Sequence, residues 1–339
     1  MHGIASQQGA DASVIDRAPD RILITGASGF VGRHAIPALH ARFPKTWLIG
    51  TTQHAEAKCA GLDETVAMDL LDPVSVGAAI AKTKPDAVLH LAAQAAVGES
   101  FTSPLVTWQV NLLGTLALAE AVLRQRPSAY FLYVSTAEVY GLSFQSGQPL
   151  SETALLAPAN PYAASKAAAD LAIGEMALRG LHAIRLRPFN HIGPGQSEAF
   201  VVAAFARQIA RIEAGLQSPV IRTGALNRWR DMLDGRDVVS AYVTTVARAH
   251  RLDPGTVINL ASGIPRCIGD ILKALIAEAQ TKITIETDPG LLRPTDIETT
   301  HGNATCAATL LDWSPKIAWE TSLHDVIEYW RNQIGNGRR

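Results

Sequence analysis

Cysteine is scarce in this chain: Cys59, Cys267 and Cys306 are the only three in 339 residues. They form no Cys-x-x-Cys pair and share no metal-ligand spacing with histidine, so neither a zinc module nor a disulfide-framed secreted scaffold fits, and no metal site is expected. A reduced, cytoplasmic protein fits better. Net charge is nearly absent, at −1, which removes the electrostatic case for a nucleic-acid or membrane-surface partner. No apolar run reaches the length expected of a membrane span. There is no internal repeat and no low-complexity linker. Residues 1–20 lack the apolar stretch of a signal peptide and are expected to form a poorly ordered leader.

Apolar residues, in contrast, are plentiful at 47%, enough for about two domains, or for one large α/β unit with a lobe. Short apolar runs predict buried strands at residues 21–25, 47–50, 65–68, 87–91, 130–135 and 183–187, and helical spacing predicts helices at 31–42, 104–124 and 162–179. Strands that alternate with helices predict a Rossmann-type doubly wound parallel sheet, with ligands beyond the C-terminal strand ends. The expected division is a dinucleotide-binding domain over 21–190 and a smaller mixed α/β lobe over most of 191–335, some of whose segments could return to the sheet.

Two motifs carry chemistry. The first is Thr25-Gly26-Ala27-Ser28-Gly29-Phe30-Val31-Gly32, between a strand and a helix. Gly26 permits a tight turn, Gly29 lets backbone approach a pyrophosphate, and Gly32 lets the helix pack close to the sheet. The helix N-terminus adds partial positive charge for phosphates. The second strand ends in Gly50-Thr51-Thr52-Gln53-His54, with no carboxylate for a ribose 2′-hydroxyl. Arg33 could pair with a 2′-phosphate, or be an ordinary surface arginine; the balance favours NADP(H), with NAD(H) possible. Asp69, Leu70, Leu91, Ala92 and Ala93 fall where the adenine and ribose edges should pass, and plain strand-end packing would account for them equally.

The second motif is Tyr162-Ala163-Ala164-Ser165-Lys166, which sets a phenol and an ammonium one helical turn apart. A neighbouring cation should lower the phenol pKa, so that Tyr162 exchanges a proton with a carbonyl or alcohol near neutral pH. Thr136, just after the fifth strand, could hydrogen-bond the substrate oxygen.

With these residues in view, the chain resembles the extended short-chain dehydrogenase/reductases over roughly residues 20–335. Asn111-Leu112-Leu113-Gly114-Thr115 and Asn160-Pro161-Tyr162 are similar to the sugar-nucleotide branch. Arg187-Pro188-Phe189-Asn190-His191-Ile192-Gly193-Pro194-Gly195-Gln196 is most similar to the GDP-4-keto-6-deoxy-mannose reductases, which are related to the GDP-mannose 4,6-dehydratases. The resemblance implies NADPH-dependent reduction of the C4 ketone of a GDP-linked 4-keto-6-deoxy sugar. It gives Tyr162 the proton, Lys166 the tuning of that tyrosine and Thr136 the carbonyl. Asn190 falls to the substrate or nicotinamide side, and Arg230 and Arg293 to the substrate diphosphate. It also implies a homodimer through helices 104–124 and 162–179. Glu138 points elsewhere: dehydratases of the family carry a similar glutamate, which removes the C5 proton. Against a dehydratase stands Phe30-Val31, where GDP-mannose dehydratases place Gln-Asp. A non-catalytic NAD(P)-binding regulator is a third class, but such proteins usually lack the Tyr/Lys pair.

Overall fold

The structure is a computed structural model that describes residues 17–53, 59–292 and 297–337. The first part alternates for the most part, β2 and β3 being successive strands: β1 (Arg21–Thr25), α1 (Phe30–Arg42), β2 (Trp47–Thr52), β3 (Glu64–Ala67), α2 (Pro73–Thr83) and β4 (Ala87–His90). It continues through α3 (Val97–Thr102), α4 (Pro104–Trp108), α5 (Thr115–Gln125), β5 (Tyr130–Val134), α6 (Pro161–Leu178) and β6 (His182–Pro188). The later part comprises β7 (Asn190–Ile192), α7 (Val201–Glu213), β8 (Val220–Thr223), β9 (Trp229–Asp234), α8 (Gly235–Arg248), β10 (Val257–Leu260), β11 (Pro265–Cys267) and α9 (Ile268–Ala277). It closes with β12 (Thr284–Thr287), β13 (Thr299–Thr300), α10 (Thr305–Leu311) and α11 (Trp319–Gly335).

Seven parallel strands make the main sheet, in the order β10-β6-β5-β4-β1-β2-β3. The order reverses between β1 and β4, which opens a crevice at their C-terminal ends. β10 comes from the later part of the chain and extends the sheet beyond β6. One face is packed by α1, α8 and α10, the other by α2, α5 and α6. A third apolar cluster joins α7, α9 and α11. Beside it β9 pairs with β7, β11 and β13, so the lobe hangs directly on the segment that leaves β6.

Three expectations change. Residues 17–20 are not loose: Arg17 N donates to Ala247 O at 3.1 Å, and Thr46 Oγ1 to Pro19 O at 2.6 Å. The rest of the expected leader lies outside the described residues, as does His54. The helix expected over 104–124 carries a π-helical turn at Gln109–Gly114 between α4 and α5. Finally, Pro104–Gln125 is 22 residues with mean hydropathy 1.3, long and apolar enough by composition to cross a membrane. Its packing is that of a core helix: Leu118 and Val122 are fully buried in the α2/α5/α6 layer, and Asn111 and Thr115 are both hydrogen-bonded and buried. The three cysteines are free.

Candidate active site

A cleft of about 1350 Å³ runs along the strand ends between sheet and lobe, larger than the few hundred to about 1,000 Å³ that suit one small ligand. The glycine turn forms one end. Gly26 has φ +67°, and a Cβ there would lie 2.8 Å from Ala92 N, so both conformation and space require glycine. At Gly32 a Cβ would fall 2.4 Å from Ala27 O. The close approach is therefore to the turn's own carbonyls rather than to the sheet. Gly29 closes the turn, its N–H on Gly26 O at 3.0 Å. α1 then begins without a side-chain cap, so its first N–H groups are available to an anion.

Arg33 is exposed and lies over this turn, its Nε donating to Ser28 O at 2.8 Å. Thr51, Thr52 and Gln53 line the cleft at the end of β2 and bring no carboxylate. Asp69 Oδ1 accepts from Leu71 N at 2.9 Å, and Leu70 packs beside Gly114. The N–H groups of Leu91 and Ala92 both donate to Thr25 Oγ1 at 3.1 Å. These residues, with Val31 and Ala93, line one continuous wall. The Phe30 ring also turns toward the lobe, where it stacks on His191 at 6.1 Å and fills the space beside Gly193 and Gly235.

At the end of β5, Thr136 Oγ1 accepts from Glu138 N at 3.2 Å and starts a 3-10 segment, Ala137–Ser146, that kinks at Gly141. α6 is capped by Asn160, whose Oδ1 accepts from Ala163 N at 2.7 Å. That cap fixes the first turn, which carries Tyr162. One turn on, Lys166 is buried, donates to Val134 O at 2.7 Å and lies 4.3 Å from the Tyr133 ring centre. Burial pushes the lysine down to about 7, and the Asp170 carboxylate pulls it partly back up. Burial pushes Tyr162 up to about 12; Thr136 opposes the rise and the Glu138 charge adds to it. The expected lowering of the phenol by Lys166 is thus absent from the protein's own charges. The physical reason is that desolvation dominates and the ammonium is spent on a backbone carbonyl. Glu138 Oε2 accepts from Asn160 Nδ2 at 3.3 Å, which ties its carboxylate to the cap of the same helix.

On the lobe side, Asn190 opens β7 in register with Met232 and lines the cleft. Arg230 does too, with Nη1 donating to Trp229 O at 2.9 Å and Glu298 O at 3.2 Å. The buried Asp231 beside it fixes the strand by accepting from Ser262, Gly263 and Gly302 backbone N–H groups. Arg293 lies outside the described residues. The cleft therefore gathers Thr136, Glu138, Tyr162, Lys166, Asn190, Arg230 and, from the glycine turn, Gly26, Gly29, Phe30, Val31, Gly32 and Arg33.

A family described as GDP-mannose 4,6 dehydratase matches residues 23–326. GDP-6-deoxy-D-mannose reductase from Pseudomonas aeruginosa is 36% identical, over 93% of this chain and 98% of that protein. The chain belongs to the GDP-mannose 4,6 dehydratase family. Another relative in sequence is GDP-mannose 4,6 dehydratase 1 of Arabidopsis thaliana, 31% identical over 77% of this chain and 72% of that one. Among solved structures, RMD from Pseudomonas aeruginosa complexed with NADPH superposes with a TM-score of 0.81 at 35% identity, covering 93% of this chain and 99% of that one.

Membership makes the chain an enzyme of sugar-nucleotide chemistry, and directs attention to residues to which the sequence motifs assign no role of their own. Asn111 is fully buried; its amide donates to Ser165 Oγ at 3.0 Å and Gln94 O at 3.1 Å, and its oxygen accepts from Gln94 N at 2.8 Å. It therefore locks the cleft wall after β4 to the turn of α6 that holds Lys166. The π turn at Gln109–Gly114 is what offers this side chain to both. His90 bridges Thr25 Oγ1 at 2.7 Å and Thr115 Oγ1 at 2.9 Å. Burial, then the Lys166 charge, push it down to about 3, so it stays neutral. Arg222 and Arg228 join Arg230 on the lobe wall. Nothing local marks Arg222 in the sequence: it is one exposed position of a short strand.

Proposed function

We propose that the protein reduces the C4 ketone of a GDP-linked 4-keto-6-deoxy sugar, with NADPH preferred and NADH accepted. The observation that carries this reading is the convergence of Thr136, Tyr162 and Lys166 in one cleft with the glycine turn. The relationship to GDP-6-deoxy-D-mannose reductase supports the substrate class. The dinucleotide fits the residues present. Glycine at 26 and 32 is what lets the turn close up at the start of α1, α1 leaves its N-terminus uncapped, and Arg33 meets no rival carboxylate at the end of β2. When bound, reduced NADP supplies the hydride for C4.

The protein's own residues do the rest. Tyr162, protonated at neutral pH because burial holds it up at about 12, keeps a proton ready for O4. The Thr136 hydroxyl orients the same carbonyl oxygen. Lys166 supports the Tyr162 turn from Val134 O and stands ready for the nicotinamide ribose. Arg230, with Arg293, offers guanidinium donors to the sugar diphosphate. Residues 21–190 are assigned chiefly to the cofactor and those after 190 chiefly to substrate, with α8, β10 and α10, which return to the main sheet, as exceptions.

Glu138 supports a second reading, a GDP-sugar 4,6-dehydratase, because its carboxylate lines the cleft near Tyr162. One assay separates the two. With GDP-4-keto-6-deoxy-mannose, NADPH should be consumed stoichiometrically and faster than NADH, and Arg33→Ala should shrink that preference by about tenfold. Loss of water from GDP-mannose with no added cofactor would sink the reductase reading.

We further propose a homodimer. Leu105, Leu113, Leu171 and Leu178 are exposed on α4, the π turn and α6, which pack side by side. Leu171→Glu should convert a dimer to monomer in sedimentation; a wild-type monomer would refute this.

A further inference from the structure

Three tyrosines are deeply buried around the sheet ends, and two of them are satisfied. Tyr140 OH donates to Asn259 Oδ1 at 2.7 Å and accepts from Arg187 Nη1 at 2.9 Å. Tyr133 OH donates to Lys166 O at 3.4 Å. Tyr242, on α8, is 1% exposed, and its hydroxyl has no hydrogen-bond partner among the described residues. Leaving a buried hydroxyl unpaired costs about 1–3 kcal/mol. Such a group persists where its partner arrives with a ligand.

The surroundings say which ligand. Tyr242 lines the cleft together with Phe144 and Phe189, its companions in the same apolar cluster, so it is a polar point on an apolar floor. α8 lies against β5 and β7, the two strands whose ends supply Thr136 and Asn190. Burial, and after it the Tyr162 phenol, push Tyr242 well above the ordinary tyrosine range. The hydroxyl therefore stays neutral as a donor, and it lines the same cleft as Tyr162. Proton and hydride go to adjacent atoms of one carbonyl, so the ring that carries the hydride must sit beside Tyr162. The carboxamide is the one polar substituent on that ring. The sugar oxygen already has the Thr136 hydroxyl and the Tyr162 phenol assigned to it, which leaves the carboxamide as the polar group without a side-chain partner.

We infer that the Tyr242 hydroxyl is a cofactor-binding group, which hydrogen-bonds the carboxamide of the nicotinamide ring. This rests on the proposed use of a nicotinamide dinucleotide. The test is Tyr242→Phe, read by fluorescence titration and thermal melting. The variant should bind NADPH roughly five- to tenfold more weakly. It should bind 2′,5′-ADP, which has no nicotinamide half, as the wild type does. Its melting temperature without ligand should be equal to or above that of the wild type, because no protein hydrogen bond is lost. Unchanged NADPH affinity would overturn the inference. So would an equal loss for both ligands, or a lower melting temperature without ligand, which would mark a structural hydroxyl. If the variant does not fold, the wild type decides: it should bind reduced thionicotinamide adenine dinucleotide phosphate, whose sulfur is the poorer acceptor, several-fold less tightly than NADPH. Equal affinity for the two would overturn the inference. A wild type that binds 2′,5′-ADP and no NADPH would overturn both this inference and the proposed reaction, whereas normal NADPH affinity in the variant would overturn the inference alone.

Discussion

Tyr162→Phe is expected to lower kcat for ketone reduction by about 10²- to 10⁴-fold, the usual worth of a positioned acid, with little change in KM for the sugar nucleotide. Phenylalanine keeps the ring and removes only the proton. α6 should be undisturbed, because its cap comes from Asn160 and not from Tyr162. The melting temperature should therefore stay within a degree or two of wild type, and a large fall would mean that the loss of rate is structural. The pH dependence has a defined sign. Reduction uses the protonated phenol, so raising the pH through the Tyr162 pKa lowers the rate. With that pKa up at about 12 before ligands bind, the fall should lie on the alkaline side of neutrality. The reverse oxidation uses the phenolate and should gain over the same range. A reduction rate that already falls as pH rises from 6 to 7, on a limb that Tyr162→Phe abolishes, would contradict the assignment.

How much of this was readable from sequence depends on distance along the chain. The glycine turn and the Tyr/Lys pair are local patterns: a strand, three glycines and a helix in one case, a single turn of helix in the other. Their positions in the cleft follow from the βαβ order, which the apolar runs announce. The seventh strand was only a possibility, because Val257–Leu260 joins β6 across about 70 residues and nothing local distinguishes it from a lobe strand. The roles of Asn111, which the sequence showed only as part of a motif, and of His90 were hidden for a related reason. Each is defined by partners 17 to 65 residues away, and a buried polar side chain looks like a surface one until its partners are placed. The pKa of Tyr162 failed differently. Sequence shows that a cation is near but not that the site is dry, and here desolvation outweighs the charge.

Asp170→Asn should be the most destabilising of the conservative changes, for a reason that links fold and site. Asp170 is fully buried one turn beyond Lys166. Its carboxylate accepts from Arg187 Nε at 2.9 Å, Arg187 Nη2 at 2.8 Å and Arg185 Nη1 at 3.1 Å. Those arginines continue to Gly255 O, Glu152 O and Tyr140 OH, so a single acid joins α6 to β6 and to the loops on either side. The amide leaves the buried Arg187 guanidinium and the half-buried Arg185 facing a neutral partner, and breaking a buried pair costs about 3–5 kcal/mol. Denaturant unfolding at pH 7 should show that loss, and equal stability would refute the argument. Burial pushes the Asp170 carboxyl up, but hydrogen bonds and charge from Arg187, then Arg185, outweigh it and hold it below the ordinary carboxylate range. A lowered pKa in the folded state contributes stability above the unfolded value, about 3.9, and loses it as pH falls through the folded one. The gap between wild type and variant should therefore be constant from pH 5 to 8 and narrow only in stronger acid. Activity should fall as well. Asp170 is the charge that pulls Lys166 back up, so the variant leaves that lysine neutral over more of the working pH range and loosens the helix that holds Tyr162 in place.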